Sequence, residues 1–278
     1  MNLRAVRTFQ LVLLATVFSA AAGWSIFAGH GVHAEAAAGA AHREPVLVEL
    51  FTSESCSSCP PADALLARLD EGQFVPGAQA IVLSEHVTYW NQLGWQDPFS
   101  SEATTDRQRR YAERFNLNSV YTPQAVVDGA EEMTGSDSKA LSRAIARAAA
   151  RPKAALEIES IVIGSDAVHF SVRSDFDSRH SSQTELVAAL AEDATRSSVA
   201  QGENAGRTLR HVAVVRVIEE MGAPDGRVLT LKLPRNSQPA TISPAMRLVV
   251  FLADQRSGRV VAVAEKSFTP SSAAGDAP

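Results

Sequence analysis

Apolar positions fall into two regimes along the chain. Between residues 46 and 150, short apolar runs alternate with stretches of helical spacing. Val46-Leu47-Val48-Glu49-Leu50-Phe51 is nearly continuous, the pattern of a strand buried on both faces. Ala62 to Leu69 sets Leu65, Leu66 and Leu69 at helical spacing. Pro60 and Pro61 stand just ahead, where a first helical turn tolerates a missing N–H. Ala80 to Leu83 predicts a second buried strand, Ser100 to Phe115 a charged helix, and Gln124 to Val127 a third strand. Asp128-Gly129 predicts a hairpin turn returning through Met133-Thr134, and Ser136 or Asp137 a cap for a helix from Ser138 to Ala150. The order is β-α-β-α-β-β-α.

Arg151-Pro152 breaks this pattern. Leu156 to Ile163, Val168 to Val172, Leu186 to Leu190, Val212 to Ile218, Val228 to Leu233, Leu248 to Leu252 and Val260 to Ala264 then read as strands. Gly164-Ser165-Asp166, Asp225-Gly226 and Ser257-Gly258 mark turns between them. Strands with little helix predict a β-sandwich over 153–270, with a disordered tail at 271–278.

The N-terminus follows a third pattern. Arg4 and Arg7 precede an uncharged stretch from Thr8 to Gly29, and Val32-His33-Ala34 offers small residues before Glu35. This is the layout of a secretory signal peptide over 1–34, followed by an Ala-rich mobile lead-in at 35–44. The expected location is periplasmic or secreted. Left uncleaved, the same run would anchor the chain in a membrane. Removing it takes away two arginines and no acid, moving the net charge from −5 to −7. No basic stripe is present, which argues against a nucleic-acid partner.

Cys56 and Cys59 are the only cysteines. A disulfide between them closes a loop too short to constrain the unfolded chain much, so a purely structural role is weak. A Cys-x-x-Cys pair between a buried strand and a helix suits thiol–disulfide exchange, because helix N–H groups and the positive end of the dipole stabilise a thiolate. Cys56, ahead of the helix, is the expected exposed nucleophile and Cys59 the resolving thiol. Pro60 and Pro61 complicate this, since a helix starting near Ser58 or Cys59 gives Cys56 less of the dipole. Thr122-Pro123, just before the third strand, predicts a cis peptide bond that shapes the groove beside the pair. With that proline, the order over 45–152 is the thioredoxin arrangement. The expected fold is therefore an α/β thioredoxin-like domain followed by an all-β sandwich-like domain.

The expected activity is exported thiol–disulfide oxidoreduction on protein or small-molecule thiols, without a cofactor. The alternative is a non-enzymatic module binding a partner protein, or a soft metal such as Cu(I) through Cys56, Cys59 and His86. His86 is otherwise a neighbour of the site, with Thr122, or orders the Tyr89-Trp90 loop. Trp90 and Trp95 read as loop packing. Arg107, Arg109, Arg110 and Arg114 read as a solvated helix face.

Several of these motifs together resemble a known group. Val48-Glu49-Leu50-Phe51-Thr52-Ser53 leading into Cys56-Ser57-Ser58-Cys59-Pro60-Pro61-Ala62-Asp63 is similar to the bacterial secreted family called domain of unknown function 1223. So are His86-Val87, Tyr89-Trp90, Gly94-Trp95, Arg107-Gln108, Val120 to Gln124, and the run from Gly202 to His211. The resemblance implies a thioredoxin-like domain joined to a β-rich domain, with no established activity. The family pattern favours Gly at Ser55 and acids at Thr88 and Asn91. Those departures leave the cysteine argument intact and weaken a hard-metal site at the His86 loop.

Overall fold

The computed structural model describes residues 43–164, 166–176, 183–222, 228–233 and 245–269. The signal segment, most of the lead-in, the turns at Ser165 and Asp225-Gly226, and the C-terminal tail lie outside the described residues.

The first half forms its elements in the expected order: β1 (Glu44–Thr52), α1 (Pro60–Gly72), β2 (Ala78–His86), α2 (Glu102–Arg114), β3 (Gln124–Val127), β4 (Glu131–Thr134) and α3 (Ser138–Ala149). Seven strands follow: β5 (Leu156–Ile163), β6 (Ala167–Ser174), β7 (Thr184–Ser198), β8 (Thr208–Glu220), β9 (Leu229–Lys232), β10 (Met246–Asp254) and β11 (Val260–Phe268). Local chemistry explains the helix starts. Ser101 caps α2 by accepting from the Thr104 N–H, and Asp137 caps α3 by accepting from Lys139 and Ala140. α1 has no side-chain cap and begins with prolines at its first two positions, with Cys59 as its N-cap.

The expected fold class is wrong. The described residues are mostly β, with three α-helices. They hold one eight-stranded mixed sheet, in the order β11-β10-β7-β8-β2-β1-β3-β4, and a three-stranded sheet, β5-β6-β9. No thioredoxin-like domain stands apart from a sandwich, because β8 pairs in parallel with β2 through Ser84 and Val214 and makes the two halves one sheet. A bulge at Arg216 of β8, opposite Leu190 and Ala191 of β7, and a left-handed backbone at Ala213 (φ 48°) re-aim β8 close to this junction. The apolar run of β2 shows that both its faces are covered. It does not show which strand takes its edge.

Alternation within the strands explains how the layers form. In β7, Leu186, Ala188 and Leu190 pack with Phe170, Leu229 and Leu231 of the small sheet, whereas Val187, Ala189 and Ala191 join the main core. β10 divides the same way, with Leu248, Val250 and Leu252 against the small sheet and Val249 and Phe251 in the main core. The continuous apolar runs of these strands thus serve two cores. In β1, Leu50 joins the core built with Leu65, Leu66 and Leu69 of α1 and Leu141, Ala144 and Ile145 of α3. The next residue, Phe51, packs instead with Tyr111 of α2.

Candidate functional site

β1 ends at Thr52 and hands the chain to a tight loop. Cys56 N–H donates to Ser53 O at 3.2 Å and Cys59 N–H to Cys56 O at 3.2 Å. The two cysteines are joined by a disulfide. Pro60 and Pro61 have no N–H, and the Ala62 and Asp63 N–H groups both go to Cys59 O, at 2.8 and 3.1 Å. The start of α1 therefore offers no free main-chain donor to a sulfur, contrary to the expectation for Cys56. The polar contact at Cys56 Sγ is instead the Ser58 hydroxyl, 3.4 Å away, which donates to it.

Cys56 is not exposed. Both cysteines are fully buried, while Ser57 and Ser58 between them face solvent. The cover comes from the second half of the chain, in the loop from Val199 to Arg207 between β7 and β8. Its Asn204 side-chain amide donates to Glu54 O at 2.8 Å and to Cys56 O at 3.0 Å. Arg207 orients that amide by donating to Asn204 Oδ1 at 2.8 Å, and Glu203 accepts the Ser57 N–H. Gly202 holds a positive φ of 79°, and a Cβ there would meet Trp95 Cβ at 3.3 Å, so the loop lies directly on the Trp95 segment.

A buried polar group flanks the pair. Glu54 accepts from Trp95 Nε1 at 2.8 Å and stands 3.4 Å from His211 Nε2 of β8. Asp63 accepts from Thr52 at 2.8 Å and lies 3.7 Å from His211 Nδ1. His86 Nδ1 pairs with Asp97 at 2.7 Å, and Asp97 also accepts from the Glu54 N–H. The two imidazoles meet edge to face, centroids 4.6 Å apart, with Phe99 against both. Burial opposes a charge on His211, but Asp63 and Glu54 outweigh it and push its pKa up to about 9. Burial likewise opposes ionisation of Asp97, yet His86 and two backbone N–H groups hold its pKa below the ordinary carboxylate value.

The Thr122–Pro123 bond is cis. Pro123 and Ala62 of α1 both lie 3.3 Å from where a Cβ on Gly135 would sit, which puts the proline beside the first turn of α1. Thr122 is engaged by Trp90, whose Nε1 donates to its hydroxyl at 2.8 Å.

Of the metal alternative, Cys56 and Cys59 are bonded to each other and His86 is bound to Asp97. Among the described residues, no group of three or more His, Cys, Asp or Glu side chains is placed to hold a metal ion. No helix among them is long and apolar enough to cross a membrane.

Of the expected solvated arginines of α2, Arg109, Arg110 and Arg114 are exposed and Arg107 is not. Arg107 is buried, donates to Glu49 at 2.5 Å and to Tyr111 at 2.9 Å, and stands 3.8 Å from Glu85. Neither Glu85 oxygen has a hydrogen-bond partner, and burial followed by the repulsion of Glu49 raises its pKa well above the ordinary value. An arginine opposite two buried acids cannot be read from helical periodicity alone.

Glu54, Asp97, Asn204 and His211 were not singled out as site residues from local pattern. Two signals existed: a polar, Gly-bounded run at 202–206 between long strands, and acids close on either side of the cysteine pair.

One mixed sheet, with a Cys-x-x-Cys disulfide closed over by a loop from its own second half, defines a protein with a buried disulfide site. The chain belongs to the family described as "Protein of unknown function (DUF1223)", whose profile matches residues 47–253. A crystal structure of an Agrobacterium tumefaciens protein is similar over 85% of this chain and 99% of that one, at 25% identity and a TM-score of 0.57. Bacteroides uniformis β-glucuronidase 2 is 11% identical over 42% of this chain and 13% of its own, with a TM-score of 0.18. A Kluyveromyces marxianus β-glucosidase is 13% identical over 42% of this chain and 14% of its own, also at 0.18. Neither glycosidase bears on the fold or activity. No curated protein matches the chain.

Proposed function

We propose that this chain is an exported thiol–disulfide oxidoreductase working through Cys56 and Cys59. The observation that carries this reading is where the disulfide lies. The only two cysteines are bonded to each other between two buried acids of the chain, Glu54 and Asp63, which His211 faces. An apolar setting would make such a pair inert, whereas groups that hold protons suit sulfur chemistry.

The reaction balances without a cofactor. In the reducing direction, an outside thiolate attacks the Cys56 sulfur, the S–S bond breaks, and Cys59 leaves as a thiolate that takes a proton. A second thiol of the reductant then displaces Cys56, so a dithiol becomes a disulfide and the protein pair becomes two thiols. In reverse, Cys56 attacks a substrate disulfide and Cys59 resolves the mixed disulfide. Pro123 borders the first turn of α1 and Ser58 supports the Cys56 sulfur. Access to the pair requires the Val199–Arg207 loop to lift. The substrates are protein or small-molecule thiols, and the N-terminal segment directs the chain out of the cytoplasm. Turnover of a dithiol and a disulfide by the purified protein supports the reading. Stoichiometric Cu(I) uptake by the reduced protein without turnover would replace it with the binding-module alternative.

A further inference from the structure

We infer that His211, delivered by β8, is a positioning residue that couples the charge of the buried acidic group to the redox state of Cys56–Cys59. The inference rests on the exchange reading above and names a regulator of the same site.

Three observations converge on this residue. First, Glu54 and Asp63 bracket the pair in the chain, two residues before Cys56 and four after Cys59, and both are buried. Second, His211 is itself buried and reaches both acids, at 3.4 and 3.7 Å, from 148 or more residues away. Third, the other groups facing it have partners of their own, apart from the His86 Nε2, which is buried without one. His86 is held by Asp97, Trp95 donates to Glu54, Thr52 donates to Asp63, and Phe99 closes the imidazole edge beneath Arg216 at 5.5 Å. His211 is thus the cation that two buried carboxylates face, and buried carboxylates need one.

The chemistry makes this position consequential. A disulfide carries no proton. Its reduction by a dithiol breaks the S–S bond and leaves two S–H groups, or one S–H and a thiolate, while the dithiol closes to its own disulfide. In a closed site the new donors and charge act on Glu54 and Asp63, and through them on the imidazolium. A thiolate formed during exchange is in turn stabilised by that cation. The proton affinity of His211 therefore differs between the oxidised and reduced proteins. Because linkage is reciprocal, the reduction potential depends on the charge of His211.

The test is an NMR titration of the imidazole C–H signals in the full chain, oxidised and after reduction with dithiothreitol, with His211→Gln used for assignment. The His211 midpoint is expected to move by at least about half a unit between the two states, within the range of environmental shifts known for histidine. Beyond the breaks that thiol ionisation gives in both proteins, the potential of the wild-type pair should show a further change of slope near pH 9, and that additional break should be absent in His211→Gln. An identical His211 titration in both states overturns the inference while leaving exchange intact. A pair that dithiothreitol does not reduce overturns the exchange reading itself. Through-bond assignment of the imidazole signals in the wild-type protein gives the same midpoints, so a misfolded variant does not shield the inference.

Discussion

The Asn204 side chain donates to the main-chain oxygen of Cys56 at 3.0 Å across 148 residues of sequence. One amide from the β7–β8 loop thereby closes over a disulfide that comes from the first half of the chain. It is fully buried, and its second proton satisfies Glu54 O.

Asn204→Ala removes both donors and leaves two buried carbonyls without them. The expected cost is about 1–3 kcal/mol of stability, the range for unsatisfied buried polar groups. The cover over the pair should loosen as well. Denaturant unfolding is expected to show the loss, and dithiothreitol is expected to reduce Cys56–Cys59 several-fold faster than in the wild type. A slower or unchanged rate would mean that this loop does not control access.

Glu85 predicts an alkaline weakness. Its folded pKa is raised by burial and then by Glu49, with Arg107 and Arg110 opposing, so the folded state keeps a proton that the unfolded chain has already released. Stability should therefore fall as pH rises from the ordinary Glu range toward the raised value. Glu85→Gln keeps the neutral shape and removes the titration. The variant should gain on the wild type between pH 5 and pH 8 in denaturant melts. A constant difference across that interval would show that Glu85 is ionised in the fold.

Residues 43–152 alone should not unfold cooperatively. Without β8, the β2 edge that meets Val214 is open, and the main core loses Val187, Ala189, Ala213, Val215, Val249 and Phe251. The fragment is expected to bind a hydrophobic dye and to lack a sharp thermal transition. A sharp transition would show that the first half is self-sufficient.

Much of the element order was legible because each signal is local. The apolar run Val46–Phe51 became β1, Asp137 caps α3, and Thr122-Pro123 is cis. The architecture was not legible, because a strand buried on both faces has the same sequence pattern whatever lies at its edge. The Ser84–Val214 pairing that merges the halves spans the two regimes, and neither side announces the other. The site shows the same division. The cysteine pair and the cis Thr122–Pro123 bond are marked by local sequence, whereas Asn204 at Cys56 and His211 at Glu54 and Asp63 are brought there only by the fold. Pro60 and Pro61 did foretell that α1 begins past Cys56. That Cys59 O takes the remaining N–H groups required the folded backbone.

Exchange at Cys56 is tested most directly by intact-mass analysis of the two single-cysteine variants after incubation with oxidised glutathione. Cys59→Ser keeps the attacking thiol and lacks the resolving one, so it is expected to hold one glutathione as a mixed disulfide that reductant releases. Cys56→Ser is expected to hold little. The reverse pattern would preserve the chemistry and exchange the two roles. Two folded variants that both stay unmodified would contradict the account, because neither sulfur would then react with a partner outside the chain.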